Sequence, residues 1–322
     1  MANSQFVSTC SANAIQKAAE QLKAGSLVAF PTETVYGLGA DATNEEAVKR
    51  IYEVKGRPSN HPLIVHVSSI NALEIWAQDI PDYAIDLARA FWPGPMTLIL
   101  KRNELAKDFI TGGQDSVGIR VPSNPIASEL LTHFESLGGL GVAAPSANRF
   151  GQVSPTSVQD VQVELGDYLS DGDSILEGGQ SEVGIESTII DCSNIAPIIL
   201  RPGAITVAMI NSVAQVELAN TDSFQLRVSG NLEKHYAPIT KVILNQTPTS
   251  GQAFIALSNI QTPEGVCRIS APMNVHQFAR DIYAGMRKAD ALGFSELIIE
   301  VPEGEGIEVA LFDRLKKAAN GR

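Results

Sequence analysis

Two short stretches about ninety residues apart carry the chemistry most visible in the chain, Lys55-Gly56-Arg57 and Ser146-Ala147-Asn148. An ammonium is a mobile point charge and a guanidinium a planar fork suited to two phosphate or carboxylate oxygens, so the first stretch offers complementary tools for a polyanion. The second follows Ala143-Ala144-Pro145 and adds a hydroxyl and an amide among side chains small enough for backbone N–H groups to approach a ligand. Nucleotide phosphate is the polyanion that fits best. The competing reading of Lys55 and Arg57 is a solvated helix end, where cations complement the dipole.

Other candidates each carry two readings. His61 and His66 would face opposite sides of one strand, which disfavours a shared metal. His61 precedes Pro62 and reads as loop, leaving His66 on the strand, where a lone histidine is ordinarily a satisfied structural residue. Arg120 falls opposite Val117, Ile119 and Val121; if that face is covered it needs an anion, either a structural carboxylate or one on a ligand. Ser116 opens the same strand. Ser154, ahead of Pro155-Thr156, also reads as the cap of the next helix. In Val183-Gly184-Ile185-Glu186-Ser187-Thr188, a strand entrance, Glu186 reads as exposed in a tight turn. Ser146 lacks the G-x-S-x-G context of a nucleophile elbow, and neither G-x-G-x-x-G nor a P-loop motif occurs.

The elements that must position these residues follow from periodicity. Ser26 to Phe30 reads as a buried strand stopped by Pro31, and Pro31 to Gly39 as a hydroxyl-rich loop. Thr43 and Glu46 form a capping box for a helix carrying Ala47, Val48, Ile51 and Val54 and stopped by Gly56, with Lys55 and Arg57 at its exit. Strands are expected at Pro62 to Val67, Met96 to Leu100, Val117 to Val121, Ser187 to Cys192 and Ile198 to Leu200. Ser69 caps one helix, and Asn124-Pro125 opens another that runs to about Ser136. Periodicity fades between Ala219 and Thr240. Beyond it, strand-like runs at Lys241 to Leu244, Phe254 to Leu257 and Leu297 to Val301 alternate with helical patterns at Val275 to Leu292 and Ile307 to Ala319. The expected division is a domain over 1–215, a linker over 216–239 and a small α/β domain over 240–322.

With 322 residues, 44% hydrophobic and 19% charged, two globular domains are the natural expectation. A formal net charge of −12 works against broad adhesion to nucleic acid, which depends on many cations neutralising phosphates, but leaves room for a small basic pocket. Cys10, Cys192 and Cys267 have no C-x-x-C spacing, which fits a reducing compartment better than disulfides or zinc. The polar start and the lack of an apolar run long enough for a membrane helix read as a soluble, cytoplasmic chain.

Taken together, Pro31-Thr32-Glu33-Thr34-Val35-Tyr36-Gly37-Leu38, Lys55-x-Arg57-Pro58, Pro62-Leu63, Trp92-Pro93-Gly94-Pro95-Met96-Thr97, Gly118-Ile119-Arg120-Val121-Pro122, Ala144 to Asn148, Glu186-Ser187-Thr188 and Arg201-Pro202-Gly203 resemble the YrdC-type L-threonylcarbamoyladenylate synthases in composition and order. His235-Tyr236-Ala237-Pro238 resembles the linker signature of the two-domain form. The preceding stretch keeps only a glycine, Gly230, of that family's usual S-P-G-M. The resemblance implies an α/β fold, a YrdC-like twisted mixed sheet with flanking helices, followed by a smaller Rossmann-like α/β domain. It implies synthesis of threonylcarbamoyl-AMP and pyrophosphate from L-threonine, bicarbonate or CO2, and ATP with Mg2+, for modification of the adenosine next to the anticodon in tRNA, with tRNA threonylcarbamoyl-transfer proteins as partners.

Carried over by position, the resemblance places L-threonine at Thr34, His66, Arg120, Ala144 and Ser187. It places ATP at Arg57, His61, Ser116, Ser146, Asn148, Ser154, Arg201 and Tyr236, with Lys55 and Arg57 facing the phosphates as the catalytic pair and no metal held by protein side chains. The rival readings are an RNA-binding module and a carbamoyl transferase of the hydrogenase-maturation type, whose acylphosphatase and zinc-finger modules this chain lacks.

Overall fold

In the computed structural model, residues 7–8, 11–214, 218, 226–228 and 236–321 are described. The expected boundary between 215 and 216, most of the expected linker, Cys10 and His235 lie outside them.

Among the described residues, ten strands form one mixed sheet. In chain order they are β1 (Val7–Ser8), β2 (Val28–Phe30), β3 (Gly37–Asp41), β4 (Ile64–His66), β5 (Met96–Lys101), β6 (Ser116–Arg120), β7 (Val142–Ala143), β8 (Ser174–Leu176), β9 (Thr188–Asp191) and β10 (Ile198–Arg201). Their spatial order is β1-β8-β2-β3-β7-β4-β6-β5-β9-β10. Parallel pairs such as β4–β6 and β5–β9 stand beside antiparallel pairs such as β3–β7 and β5–β6. The β4–β6 register sets His66 beside Arg120 at the strand ends. The central strands β5 and β6 are buried on both faces, so β5 reads as a nearly continuous apolar run while β6 buries Ser116 and Arg120 as well. One face is covered by the helices Ala12–Lys23 and Pro125–Ser136, packed through Leu22, Leu130, Leu131 and Phe134; the larger core cluster includes Ile51 and Leu87 from two further helices.

Two local readings change. Gly37–Asp41 is a strand although its glycines mark a turn in the sequence; a Cβ at Gly39 would meet Val142 Cγ1 at 2.7 Å, so the glycine serves close approach of β7. The helix Glu45–Lys55 is capped by Asn44, whose Oδ1 accepts from Ala47 N at 3.1 Å, while Thr43 donates its hydroxyl to Asp41 Oδ1 at 2.7 Å. Asp41 outcompetes the helix for Thr43. The helix ends at Gly56 in the left-handed region (φ 62°), which turns Arg57 off the helix axis. Asn124 caps Pro125–Ser136 as expected, accepting from Ile126 N at 3.0 Å.

A second, all-parallel sheet has the order β11-β14-β12-β13, from β11 (Lys241–Leu244), β12 (Ala253–Ile255), β13 (Cys267–Ser270) and β14 (Glu296–Ile299). β13 went unanticipated because only Ile269 of its four residues is buried, leaving no apolar run. The helix Val275–Ala291 links β13 to β14, Ile307–Ala319 follows β14, and both cover this sheet and pack against the first unit. Val35, Val153 and Ile185 share one apolar cluster with Tyr283 and Leu311. Gly184 lies so close to the second unit that a Cβ there would stand 2.3 Å from Arg280 Cα. Arg287 bridges to Glu164 Oε1 at 2.9 Å and also donates to the Val153 carbonyl. No described helix is long and apolar enough to cross a membrane.

Candidate active site

A cleft opens where the ends of β4, β6 and β9 meet the loops after β2 and β7. From the expected set it gathers Thr34, Arg57, His66, Arg120, Ala144, Ser146, Ser187, Arg201 and Tyr236. Three are cations, in a chain whose net charge is negative, so the positive field is local.

Arg120 and His66 share one end. Arg120 Nη2 donates to Glu33 Oε1 at 2.6 Å, and Glu33 Oε2 accepts from Ser123 N at 3.1 Å. The structural carboxylate left open by the sequence is therefore Glu33, and Arg120 is not wholly uncommitted. Its Nε, however, is buried with no hydrogen-bond partner among the described residues, which leaves a donor for a ligand carboxylate. His66 packs edge-on to Phe30 at 5.9 Å, with Nδ1 3.2 Å from the Ile64 carbonyl oxygen. Burial, and next the Arg120 charge, push its pKa down to about 3, so the imidazole is neutral at neutral pH. The unfolded chain takes up this proton below pH 6.5 and the folded chain does not, so the associated stability is complete above 6.5 and lost as pH falls toward 3. Between pH 7 and pH 5 the loss should be about 2 kcal/mol, and urea titrations of His66→Gln should show a pH slope shallower by that amount.

Ser187 and Arg201 form another wall. Ser187 Oγ lies 2.8 Å from Thr97 Oγ1, and Arg201 donates from Nε to the Ser187 carbonyl at 3.0 Å and from Nη2 to its hydroxyl at 3.1 Å. Arg57 donates from Nη2 to the Pro62 carbonyl at 2.9 Å and lies 6.0 Å from the centroid of Phe150. Burial lowers its pKa to about 10, with the Arg201 charge among the lesser causes; both are still cations at neutral pH. Two desolvated guanidiniums lining one cleft make an anion site. Thr34 is fully buried, its hydroxyl 2.8 Å from that of Thr32.

Lys55, His61, Ser116, Asn148 and Ser154 do not line the cleft. The solvated-end reading of Lys55 fails because the residue is buried, and so does the expectation that it faces phosphates: Nζ donates to the Ser146 carbonyl at 2.5 Å and to that of Asn148. Burial holds its pKa well below the usual ammonium range. Lys55 ties down the loop that presents Ser146. Asn148 serves the same loop, donating to the Arg149 and Gln152 carbonyls at 2.7 and 2.9 Å. His61 stands edge-on to Phe150 at 5.4 Å, and the charge of Arg57 helps lower its pKa after burial. Ser116 lines a smaller adjoining cavity with Gln114 and Arg227. Ser154 caps no helix; Ser157 does, in a capping box with Asp160, while Ser154 Oγ donates to Glu186 Oε1 at 2.6 Å.

The sequence reading of Glu186 as exposed in a tight turn is overturned, and no role in the cleft was expected of it: the residue is buried and lines the cleft. Burial alone would raise its pKa, but Arg314, then Arg201 and hydrogen bonds, override that and bring it to about 2.

Residues 20–203 match the family described as "Telomere recombination", which groups Sua5, YciO and YrdC proteins, and residues 205–320 match "Threonylcarbamoyl-AMP synthase, C-terminal domain". The chain belongs to the threonylcarbamoyl-AMP synthase family. It is 37% identical to a Pyrococcus abyssi threonylcarbamoyl-AMP synthase over 96% of this chain and 94% of that relative, and 34% identical to one from Bacillus subtilis over 96% and 93%. A crystal structure of P. abyssi Sua5 complexed with L-threonine superposes with a TM-score of 0.87 at 34% identity, covering 98% of each chain. Membership in this family accounts for a mixed sheet followed by a smaller parallel one. A full-length HypF structure, at 20% identity and a TM-score of 0.50, shares the fold alone, and the carbamoyl-transferase reading is not favoured.

Proposed function

We propose that the cleft binds L-threonine and ATP side by side and forms threonylcarbamoyl-AMP and pyrophosphate, with bicarbonate or CO2 supplying the carbon. The reading is carried by the meeting, in one cleft, of the Arg57 and Arg201 guanidiniums with Arg120, His66 and Ser187 in a chain of this family. The threonine amine adds to CO2 and loses a proton, giving a carbamate. A carbamate oxygen then attacks the α-phosphorus; the new P–O bond forms as the bond to the bridging oxygen breaks and pyrophosphate leaves in line. Both nucleophiles belong to substrates, so the protein positions reactants and neutralises charge.

Arg120 Nε, Ser187, Thr34, Ala144 and neutral His66 hold the amino acid. Arg57, Arg201, Ser146 and Tyr236 hold the nucleotide. His61 and Ser116, beside Arg57 and in the adjoining cavity, extend that site toward the rest of ATP, while Lys55, Asn148 and Ser154 act through the groups they hold. Mg2+ bound with ATP would offset phosphate charge, and the nearby carboxylates Glu33 and Glu186, engaged by Arg120 and Arg314, would not be needed to hold it. The product then supplies threonylcarbamoyl-transfer proteins acting on tRNA in the cytoplasm.

The test is release of pyrophosphate from ATP in the presence of L-threonine and bicarbonate. Release should cease when either is omitted. Threonine-independent release contradicts the reading, and salt-sensitive RNA affinity without any release would favour an RNA-binding module.

A further inference from the structure

Three donors from separate parts of the chain converge on the Glu186 carboxylate at the cleft wall. Ser154 Oγ donates to Oε1 at 2.6 Å, and Tyr283 Oη and Arg314 Nε donate to Oε2 at 3.0 and 2.9 Å. Ser154 belongs to the first unit, but Tyr283 and Arg314 come from the two helices that cover the second sheet. Arg314 is wholly inaccessible to solvent, and its guanidinium also reaches the Glu186 carbonyl at 3.4 Å and Asp313 Oδ2 at 2.6 Å. The ring of Tyr236 lies 5.7 Å from that guanidinium and stacks on Tyr283 at a centroid distance of 5.7 Å. Next in sequence to Glu186, Ser187 anchors Arg201 through its carbonyl and its hydroxyl.

A carboxylate in this wall is an obstacle to a polyanion. Left without a cation of its own, it would repel phosphate oxygens and draw the neighbouring Arg201 guanidinium onto itself, because an unpaired buried charge takes the nearest partner. Arg314 and Tyr283 occupy Oε2 and Ser154 occupies Oε1, so the carboxylate is neutralised and fixed.

We propose that Arg314, assisted by Tyr283, is a positioning residue for the nucleotide site: by holding Glu186 as a compensated acceptor it leaves the charge of Arg201 directed at the phosphates, and the second unit thereby completes the ATP wall. The inference deepens the proposed function and rests on it. It gives the C-terminal unit an electrostatic task inside the first unit's cleft.

The experiment is steady-state pyrophosphate release by the full chain, comparing wild type, Arg314→Met, Arg314→Met with Glu186→Gln, and Tyr283→Phe, each checked by circular dichroism. Arg314→Met should raise KM for ATP about tenfold, a fraction of the full penalty for stripping the partner from a buried charge, with a smaller change in kcat. Adding Glu186→Gln removes the stranded charge and should recover most of that loss, which a purely structural role of Arg314 would not allow. Tyr283→Phe keeps the ring stack, removes only one donor to Glu186 and should raise KM for ATP about threefold. A KM within twofold of wild type in Arg314→Met, or no recovery in the double variant, overturns the proposal. If Arg314→Met does not fold, Tyr283→Phe decides, and an unchanged KM overturns it. Absence of turnover in wild type defeats the proposed function itself and this inference with it, whereas normal wild-type turnover with unresponsive variants defeats this inference alone.

Discussion

Lys55→Ala should cost stability and activity together: about 3 kcal/mol of unfolding free energy, and a fall of about a hundredfold in kcat/KM for threonine-dependent pyrophosphate release. The Lys55 Nζ is buried and donates to two carbonyls, those of Ser146 and Asn148. Its removal strands both acceptors away from water and leaves a cavity behind the loop that carries Ser146. Lys55→Met refills the cavity without restoring the hydrogen bonds, so it should regain only part of the stability and little of the activity. A lysine whose task was to contact phosphate would behave differently, losing turnover with an unchanged melting temperature. Thermal unfolding beside steady-state kinetics separates the two, and an undiminished melting temperature in Lys55→Ala contradicts the tether.

Arg57→Ala should lower kcat/KM by about a hundredfold, or about 3 kcal/mol, the scale of losing one preorganised donor at a site of developing charge. Unlike Lys55, Arg57 lines the cleft, and beyond its bond to the Pro62 carbonyl it faces the same space as Arg201. Arg57→Lys should recover little, because a point charge cannot reproduce a planar fork. Near-normal turnover in Arg57→Ala would remove this residue from the mechanism.

These two neighbours show what a sequence can and cannot convey. Helical spacing placed both at the exit of one helix, and there they are, but the direction in which each side chain points depends on a loop ninety residues away. Gly56 sends them apart: Lys55, on the last turn, faces the loop, and Arg57, beyond the left-handed residue, faces the cleft. Elements governed by local pattern were legible, among them Lys241–Leu244 and Ile307–Ala319, whose limits fall where periodicity put them. Those governed by close approach or by long-range pairing were not. The glycines of Gly37–Asp41 resemble a turn until β7 is seen against them, and β13 offers a single buried residue.

The same division runs through the site. Thr34, Arg57, His66, Arg120, Ala144, Ser146, Ser187, Arg201 and Tyr236 were identified by resemblance to a family whose motifs hold their order, and they meet in one cleft. Glu186 was visible only as an exposed turn residue, and Arg314 not at all. A carboxylate in a glycine-containing turn and an arginine in a charged amphipathic helix each look solvated, and their contact spans 128 residues of sequence. Only the docking of the second unit brings them together and turns an exposed-looking acid into a buried, compensated one.

The most direct measurement of the central claim uses 13C-bicarbonate with ATP, Mg2+ and L-threonine, followed by mass spectrometry of the nucleotide product. The expected result is threonylcarbamoyl-AMP heavier by one mass unit on its carbamoyl carbon, formed in equal amount with pyrophosphate. Pyrophosphate appearing with AMP alone, or an adenylate carrying threonine without the labelled carbon, would contradict it.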